Sequence, residues 1–348
     1  MKMSDIKYML AYIIPISGYV AVWQGGIYAP LTLFIAFVII PLLEFFVAKS
    51  TLNLTSDQEF DVTDVSYFDW LLYLNLPLVY GLVIALLYRV TQTSLYTSEL
   101  GWTVVSVGIV LGASGINVAH ELGHKSGGME QLTAKLLLLP CLYMHFFIEH
   151  NRGHHVNVST PLDPATSRKG ESVYFFWIRS TVGSYLSAWR LESERLAKLG
   201  KTWLRWENEM VRFQVFQLVY LAVVAISCGL LGLLVAVAIA VVGVLLLETI
   251  NYIEHYGLQR RLLTTGRYER VQVHHSWNSN HEIGRIMLYE LTRHSDHHYK
   301  ANRKYQVLRH HDESPQLPLG YPGSMLLSFV PPLWYAVMHR RLAILPNE

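Results

Sequence analysis

The amino-acid sequence predicts an all-α integral membrane protein, with six transmembrane helices and cytoplasmic helical segments that carry a histidine-rich di-metal site. Three observations lead to this prediction: an apolar composition, long apolar runs, and histidines clustered where those runs end. Of the 348 residues, 52% are hydrophobic and only 16% are charged, whereas charged residues make up about a quarter of a typical soluble protein. The composition therefore favours a membrane protein with a polar half.

Long apolar runs account for the predicted transmembrane helices. A helix needs roughly 20 residues to cross the bilayer core, so the last run, of 38 residues, can hold two short spans with a turn at Gly229 and Gly232. The runs cover residues 8–23, 30–48, 70–88, 102–119, 132–148 and 213–250.

The run at 132–148 is the doubtful one, because it is short and is interrupted by a lysine, a proline and a histidine. If four spans precede His120 and this run does not cross, then His120, His150 and His255 all emerge on the cytoplasmic side. A crossing run would leave His150 and His255 on the opposite face from His120. We therefore predict that the run lies along the membrane surface.

This topology divides the chain into four segments. Residues 1–124 form four transmembrane helices that end in the first histidine cluster, and 125–212 form a cytoplasmic or interfacial segment with the second cluster. Residues 213–250 form two further transmembrane helices, and 251–348 form a cytoplasmic segment with the third and fourth clusters. Basic residues flank the proposed cytoplasmic ends, as the positive-inside rule prefers: Lys49, Lys125, Arg212, Arg260 and Arg261.

Four motifs at the predicted cytoplasmic helix ends contain nine histidines: HELGHK at 120–125, EHNRGHH at 149–155, NYIEHYGL at 251–258 and RHSDHH at 293–298. Histidines four residues apart share one face of a helix. In a helical second motif, His150 and His154 would lie on the same face, and His155 would point about 100° round the axis. Neutral imidazoles at such spacing bind divalent iron, zinc or copper well.

Nine histidines are too many for one zinc ion, which is filled by four ligands, whereas two metal ions would use nearly all of them. The two cysteines, Cys141 and Cys228, lie far apart in apolar runs, so a thiolate site is not available. Histidine and carboxylate must therefore hold the metal. The other histidines are predicted to be hydrogen-bonded or surface residues: His145, His274, His275, His281, His310, His311 and His339.

Carboxylates accompany the histidine motifs. A ligating imidazole usually donates its other N–H to a carboxylate or carbonyl, although charge balance at a helix end would also place acidic residues there. The candidates next to proposed ligands are Glu121, Glu149, Glu254 and Asp296, and Asp163 in the PLDP segment is a further one.

The four motifs, together with HSWNS at 275–279, resemble those of the membrane-bound alkane 1-monooxygenases, integral-membrane di-iron hydroxylases related to membrane fatty acid desaturases. NYIEHYGL is the more specific motif, since the other three are shared with the wider superfamily. The resemblance implies terminal hydroxylation of medium-chain n-alkanes to primary alcohols with O2 and two electrons. It also implies two iron ions held by His120, His124, His150, His154, His155, His255, His294, His297 and His298.

The same resemblance implies electron delivery by rubredoxin, an iron protein held by four cysteines. With only two cysteines, the chain is expected to use a separate rubredoxin with an NADH-dependent rubredoxin reductase behind it. We expect membrane lipids around the chain, no nucleic acid, and an alkane that arrives from the bilayer into a dry cavity. The implied location is the bacterial inner membrane, with the active site on the cytoplasmic side. The sequence does not indicate which residues bind the substrate.

Other functions stay open at this point. A related desaturase, or a xylene or fatty-acid hydroxylase, would use the same motifs. An intramembrane zinc protease would use His120, Glu121 and His124 of the HELGH motif. A metal transporter would place its ligands near the membrane midplane, whereas these histidines lie at helix ends.

Overall fold

The computed structural model describes residues 3–93 and 96–345, so the predicted segment bounds at 1 and 348 lie outside the described residues. Within this part of the chain the regular structure is helical, with only isolated β-bridges between extended residues. The helices are α1 (Asp5–Gln24), α2 (Leu31–Phe46), α3 (Ser56–Thr63), α4 (Ser66–Gln92), α5 (Thr97–Gly123), α6 (Gly128–Leu138), α7 (Phe146–Glu149, continued by His150–His154 and His155–Asn157), α8 (Val173–Lys198), α9 (Glu209–His255), α10 (Glu282–Met287), α11 (His294–Tyr299), α12 (Tyr321–Ser328) and α13 (Pro331–Ala343).

Four of the described helices, α1, α4, α5 and α9, are long and apolar enough to cross a membrane, and α2 is a shorter apolar helix. The protein is therefore an all-α integral membrane protein, as predicted. Six spans require that α2 crosses and that α9 crosses twice, so the number of spans stays a prediction.

The long helix α9 is a hairpin of two arms. It is interrupted at Gly229, whose φ of +66° and ψ of −170° are not helical. Gln217 in the first arm accepts the N–H of Met144, and Val241 in the second arm faces Leu142 of the same loop. Because Gln217 and Val241 are equally far from Gly229 in sequence, the arms run antiparallel. The helix is therefore interrupted at Gly229, one of the two residues at which the sequence predicts a turn, and the crossing of the membrane by each arm stays a prediction.

The doubtful run at 132–148 does not form a spanning helix. Helix α6 ends at Leu138 after 11 residues, which is about 16 Å of helix against a hydrocarbon core of about 30 Å. The chain then turns through Leu142, which adopts a φ of +51°, before α7 begins. The second histidine motif is therefore free to meet the other three.

Close approach of α5 and α9 sets the position of two histidine motifs. A Cβ atom on Gly108 would clash with the Val242 side chain, and one on Gly112 would lie 2.5 Å from the Leu246 side chain. Only glycine permits this separation of the two helices. Their C-terminal ends, with His120 and His255, are thereby held side by side.

An ion-pair network anchors the second histidine motif to α6, α8 and α9. Arg152 donates to Glu192 at 2.8 Å and to Glu209 at 2.7 Å, and Lys135 donates to Glu209 at 2.7 Å. Glu192 is fully buried and also accepts hydrogen bonds from Arg195 and from the N–H of Glu209. Burial raises the pKa of Glu192, but the hydrogen bonds from Arg195, the Glu209 N–H and Arg152 outweigh it and lower the pKa to about 2.

We expect Glu192→Gln to destabilise the protein by about 2–4 kcal/mol at pH 7. This is near the lower end of the cost of breaking a buried pair, because the arginine partners are partly exposed. A carboxylate whose pKa is lowered on folding contributes stability above its unfolded pKa and loses it as the pH falls through its folded pKa of about 2. The difference in unfolding temperature between variant and wild type should therefore shrink between about pH 5 and pH 2. Glu194→Gln is the control, because Glu194 is exposed on the same helix; equal effects of the two changes would contradict the prediction.

Candidate metal centre

The first histidine motif lies at the C-terminal end of α5, which positions His120 and His124 one helical turn apart. Their ring centroids are 5.1 Å apart. His120 is buried, and His124 is partly exposed. Both rings enter the same group of histidines, as their i, i+4 spacing predicts.

The second motif departs from the predicted geometry. Residues His150–His154 form a π-helical turn, in which the N–H of His155 bonds to the carbonyl of His150. The i, i+5 period brings the Nε2 atoms of His155 and His150 to 3.0 Å, while His154 turns into a different group. The α-helical period assumed for this motif is therefore not observed: the rings of His150 and His154 stay neighbours, with centroids 5.1 Å apart, but they belong to different groups. Single π-turns of this kind are frequent at functional sites.

Glycine is required inside this π-turn. A Cβ atom on Gly153 would lie 2.5 Å from Oε1 of Glu149 and 3.1 Å from the Leu191 side chain. The turn is thus packed tightly between its own preceding residues and α8.

The histidines of the third and fourth motifs lie close together. His255, at the end of α9, is fully buried, and its Nε2 lies 3.2 Å from Nε2 of His294 on α11. His294 and His298 are one helical turn apart, with Nε2 atoms separated by 2.9 Å. His297, between them in sequence, points to the other group, with its Nε2 3.2 Å from that of His155.

The nine predicted histidines therefore assemble into two groups. Within each group, ring nitrogens able to bind a metal all lie within 4.8 Å of one another. The five-histidine group is His120, His124, His150, His155 and His297, and the four-histidine group is His154, His255, His294 and His298.

The donor atoms in both groups fit a bound cation. In the five-histidine group the Nε2–Nε2 distances include 3.1 Å between His150 and His124, and in the four-histidine group 3.3 Å between His154 and His298. A neutral imidazole has one ring nitrogen with an N–H and one with a lone pair. Because the Nε2 atoms of several rings lie close together in each group, their lone pairs face one another. A divalent metal at the centre of each group would satisfy those lone pairs.

Burial favours the neutral, ligating form of these rings. It lowers the pKa of the histidines outside the membrane-spanning segments, and neighbouring imidazoles lower it further. This holds for His150, His155, His294, His297 and His298.

One of the five candidate carboxylates, Asp163, forms a hydrogen bond with the ring of His154 on the side away from the other histidines of its group. Oδ2 of Asp163 lies 2.9 Å from Nδ1 of His154, and the same carboxylate accepts hydrogen bonds from the Thr166 hydroxyl and the Ala165 N–H. Nδ1 of His154 can therefore carry the proton, which leaves Nε2 free to face the four-histidine group.

Removing this support should weaken metal binding without removing a donor atom from either group. Loss of such a partner typically costs 10–100-fold in metal affinity, so we expect Asp163→Ala to release one of two metals at a correspondingly lower chelator concentration. Chelator titration of the purified protein measures this, with Asp312→Asn as control because Asp312 is almost fully exposed. Unchanged retention in Asp163→Ala would contradict the assignment.

The other four candidate carboxylates lie in different surroundings. Glu121 accepts the N–H of Tyr305, and Glu149 is buried with one oxygen lacking a hydrogen-bond partner. Asp296 faces away from the rings and binds Arg303 and His311. Glu254 alone among these four has an oxygen close to a donor nitrogen, 3.2 Å from Nε2 of His294.

The remaining histidines lie outside both groups. His275 and His274 do approach Glu269, but Nδ1 of His275 accepts the N–H of Gln272, so its Nε2 carries the proton and faces Glu269. The contact of this neutral ring with Glu269 is therefore a hydrogen bond, and the lone pair on Nδ1 is not available to a metal. His311 binds Asp296, His310 binds Asp312 and His339 binds Tyr256.

An apolar cavity that the sequence did not indicate lies among the helices. Its volume is about 50 Å³, and its walls include Phe37 of α2, Ala113 of α5, Ile250 of α9 and Tyr321 of α12. The Tyr321 hydroxyl donates to Oε1 of Glu254 at 2.7 Å. The cavity therefore ends next to the four-histidine group. No single stretch of sequence contains its walls, since they come from separate helices.

Comparison with known proteins agrees with this arrangement. Residues 100–325 match the model of the fatty acid desaturase family. The chain is 43% identical over 312 residues to alkane 1-monooxygenase 2 of Pseudomonas aeruginosa, which covers 88% of this chain and 82% of that protein. It is 37% identical to the alkane 1-monooxygenase of Ectopseudomonas oleovorans, in an alignment that covers 95% of this chain and 84% of that protein. It is 29% identical to the hydroxylase component of a xylene/toluene monooxygenase of Pseudomonas putida, with 97% and 88% covered.

Proposed function

This chain belongs to the alkane 1-monooxygenase family, and we propose that it hydroxylates the terminal carbon of medium-chain n-alkanes to primary alcohols. The reaction consumes one alkane, one O2, two electrons and two protons, and yields the alcohol and water. The observation that supports this most directly is the meeting of two convergent histidine groups with the end of an apolar cavity.

We assign two iron ions to the two groups. The imidazole donors suit iron, zinc, copper and nickel alike, so the choice of iron rests on the family. When bound, iron supplies the O2 activation that an unactivated C–H bond requires. The protein contributes nine preoriented imidazoles, with Asp163 fixing His154, and buried surroundings that exclude water from the four-histidine group.

The apolar cavity is assigned to the terminal part of the alkane, because its volume of about 50 Å³ is well below the roughly 150 Å³ of a cavity that holds benzene. It is bordered by helices that face the bilayer, where an alkane already partitions, and its inner end reaches Tyr321 and Leu288 near the four-histidine group. Two of its walls contain π-helical turns, Ile35–Ile39 in α2 and Leu111–Ile116 in α5. Such turns interrupt regular α-helical packing and leave room between the helices.

We assign the entry of electrons to the side of the metal site opposite the apolar cavity. His124 and His155 of the five-histidine group are partly exposed, whereas every member of the four-histidine group is buried. We propose that a separate rubredoxin, reduced by an NADH-dependent reductase, docks near these two rings. Steady turnover with NADH and reductase but without a rubredoxin-like donor would refute this.

The proposed location is the bacterial inner membrane, with the site facing the cytoplasm. Lys125, Arg152 and Arg212 lie at the end of the bundle that carries the histidines. At the opposite end lies Arg89, which is ion-paired with Glu99, as the three basic residues at the histidine end are with their own acidic partners. This asymmetry follows the positive-inside rule.

A second candidate is hydroxylation of an aromatic methyl group, which the similarity to the xylene/toluene hydroxylase component favours. The identity to that protein is 29%, against 43% to an alkane 1-monooxygenase of similar coverage. Product analysis with xylene and octane under the same conditions separates the two activities.

The experiment that tests the proposal combines metal content with product formation. Purified protein should contain two irons per chain and convert octane to 1-octanol in the presence of O2, NADH, rubredoxin and reductase. One zinc with no iron would instead favour a protease, and two irons without alcohol would exclude the proposed reaction.

A further inference from the structure

The two histidine groups are unequal in number, and Glu254 lies at the smaller one. Its Oε2 atom is 3.2 Å from Nε2 of His294. That nitrogen also faces Nε2 of His255 at 3.2 Å and Nε2 of His298 at 2.9 Å. One carboxylate oxygen therefore lies beside a donor nitrogen of the four-histidine group.

The side chain of Glu254 is held in this orientation from both ends. Its other oxygen, Oε1, accepts the Tyr321 hydroxyl at 2.7 Å. Its backbone carbonyl accepts the N–H of Trp277 at 2.8 Å, which fixes the residue at the end of α9. Glu254 is 1% exposed, so water does not compensate the oxygen that faces His294.

This contact differs from that of Asp163, the other carboxylate beside a ring of the same group. Asp163 approaches Nδ1 of His154, on the side of the ring away from the donor cluster. Glu254 approaches Nε2, on the side of His294 where the other Nε2 atoms lie. A buried carboxylate among imidazole lone pairs is costly unless a cation or a proton lies between them.

We propose that Glu254 is a direct ligand of the metal held by the four-histidine group, so that each metal has five protein ligands. The inference rests on the proposed di-metal function. It assigns five imidazoles to one metal, and four imidazoles with one carboxylate to the other. The carboxylate makes the second site more negative by one charge and places a hard oxygen donor there. Because Tyr321 binds Glu254 and lines the apolar cavity, this is the site closer to the alkane.

Glu254→Gln tests the ligand assignment in the full-length protein loaded with iron-57. We expect Mössbauer spectra of the wild type to contain two iron environments. The variant should change one of them and leave the other unaltered. Retention of one of the two irons against a chelator should also fall by more than tenfold, because loss of a partner outside the coordination sphere already costs about 10–100-fold.

Two further variants distinguish loss of Glu254 as a ligand from two other effects of Glu254→Gln. These effects are loss of the hydrogen bond to Glu254 and loss of its negative charge. Tyr321→Phe removes the hydrogen bond to Oε1 but keeps the carboxylate, so it should retain two irons and both environments. Glu254→Asp withdraws the oxygen by one methylene while preserving charge, and should change the same environment as Glu254→Gln. If Glu254→Gln fails to fold, the Asp variant carries the test alone.

The outcomes distinguish this inference from the proposed function. A wild-type protein without two irons would overturn the proposed function itself. Two irons in the wild type, with both environments unchanged in Glu254→Gln or Glu254→Asp, would overturn only the role of Glu254.

Discussion

Replacing His255 or His155 by alanine is expected to remove one metal and abolish alcohol formation. His255 belongs to the four-histidine group and His155 to the five-histidine group. Each variant should lose the metal of its own group and keep the other, because the close Nε2 contacts of the two rings lie within their own groups. Turnover should fall at least about 10³-fold in both, since residues that act as one unit lose nearly everything when one member is removed.

Metal analysis and octane turnover on the same preparations measure both effects. His274→Ala is the matched control, since His274 lies outside both groups and is partly exposed; it should keep two metals and wild-type turnover. Two metals retained in either His155→Ala or His255→Ala would contradict the division of the nine histidines into these groups.

The two histidine groups face different surroundings. The five-histidine group reaches the surface through His124 and His155, and the four-histidine group is buried, with Glu254 linking His294 to Tyr321 in the cavity wall. Electrons and alkane can therefore approach from opposite sides. Burial of the four-histidine group excludes water from that side, and exclusion of water suppresses side reactions.

Much of this site could be predicted from the sequence because its ligands recur at helical spacing. The pairs His120 with His124 and His294 with His298 do share a group, as i, i+4 periodicity requires. The non-crossing run at 132–148 could also be predicted, because only that topology brings the motifs to one side of the membrane.

What could not be predicted depends on contacts between distant segments. The π-turn that separates His150 from His154 arises where Gly153 packs against Glu149 and Leu191 of α8. The spacing of the histidines along the sequence does not indicate that change in helical period. For the same reason Glu254 and Asp296, both adjacent to histidines in sequence, could not be told apart. One lies beside a donor nitrogen, while the other binds Arg303 and His311.

The cavity supplies the other prediction of large effect, a change in the chain length of the accepted alkane. Ala113 lines the cavity in the π-helical turn of α5, seven residues before His120, or about 10 Å along the helix. Ala113→Leu adds three carbon atoms to the wall of this small cavity and should shorten the part of the alkane that fits. Short alkanes then still reach the site, while long ones lose burial of about 0.8 kcal/mol for each methylene that no longer fits.

We expect the ratio of kcat/KM for dodecane to that for hexane to fall more than tenfold in Ala113→Leu, because two lost methylenes already amount to about 1.6 kcal/mol and about 1.4 kcal/mol is a factor of ten. Ile226→Leu is the control, since Ile226 is 86% exposed on the first arm of α9 and should leave the ratio unchanged. If Ala113→Leu slowed both substrates equally, the damage would lie at the metal centre and the cavity would not be the alkane path. A reduced ratio with full metal content would instead place the alkane against α5, with its terminal carbon directed toward Glu254 and the four-histidine group.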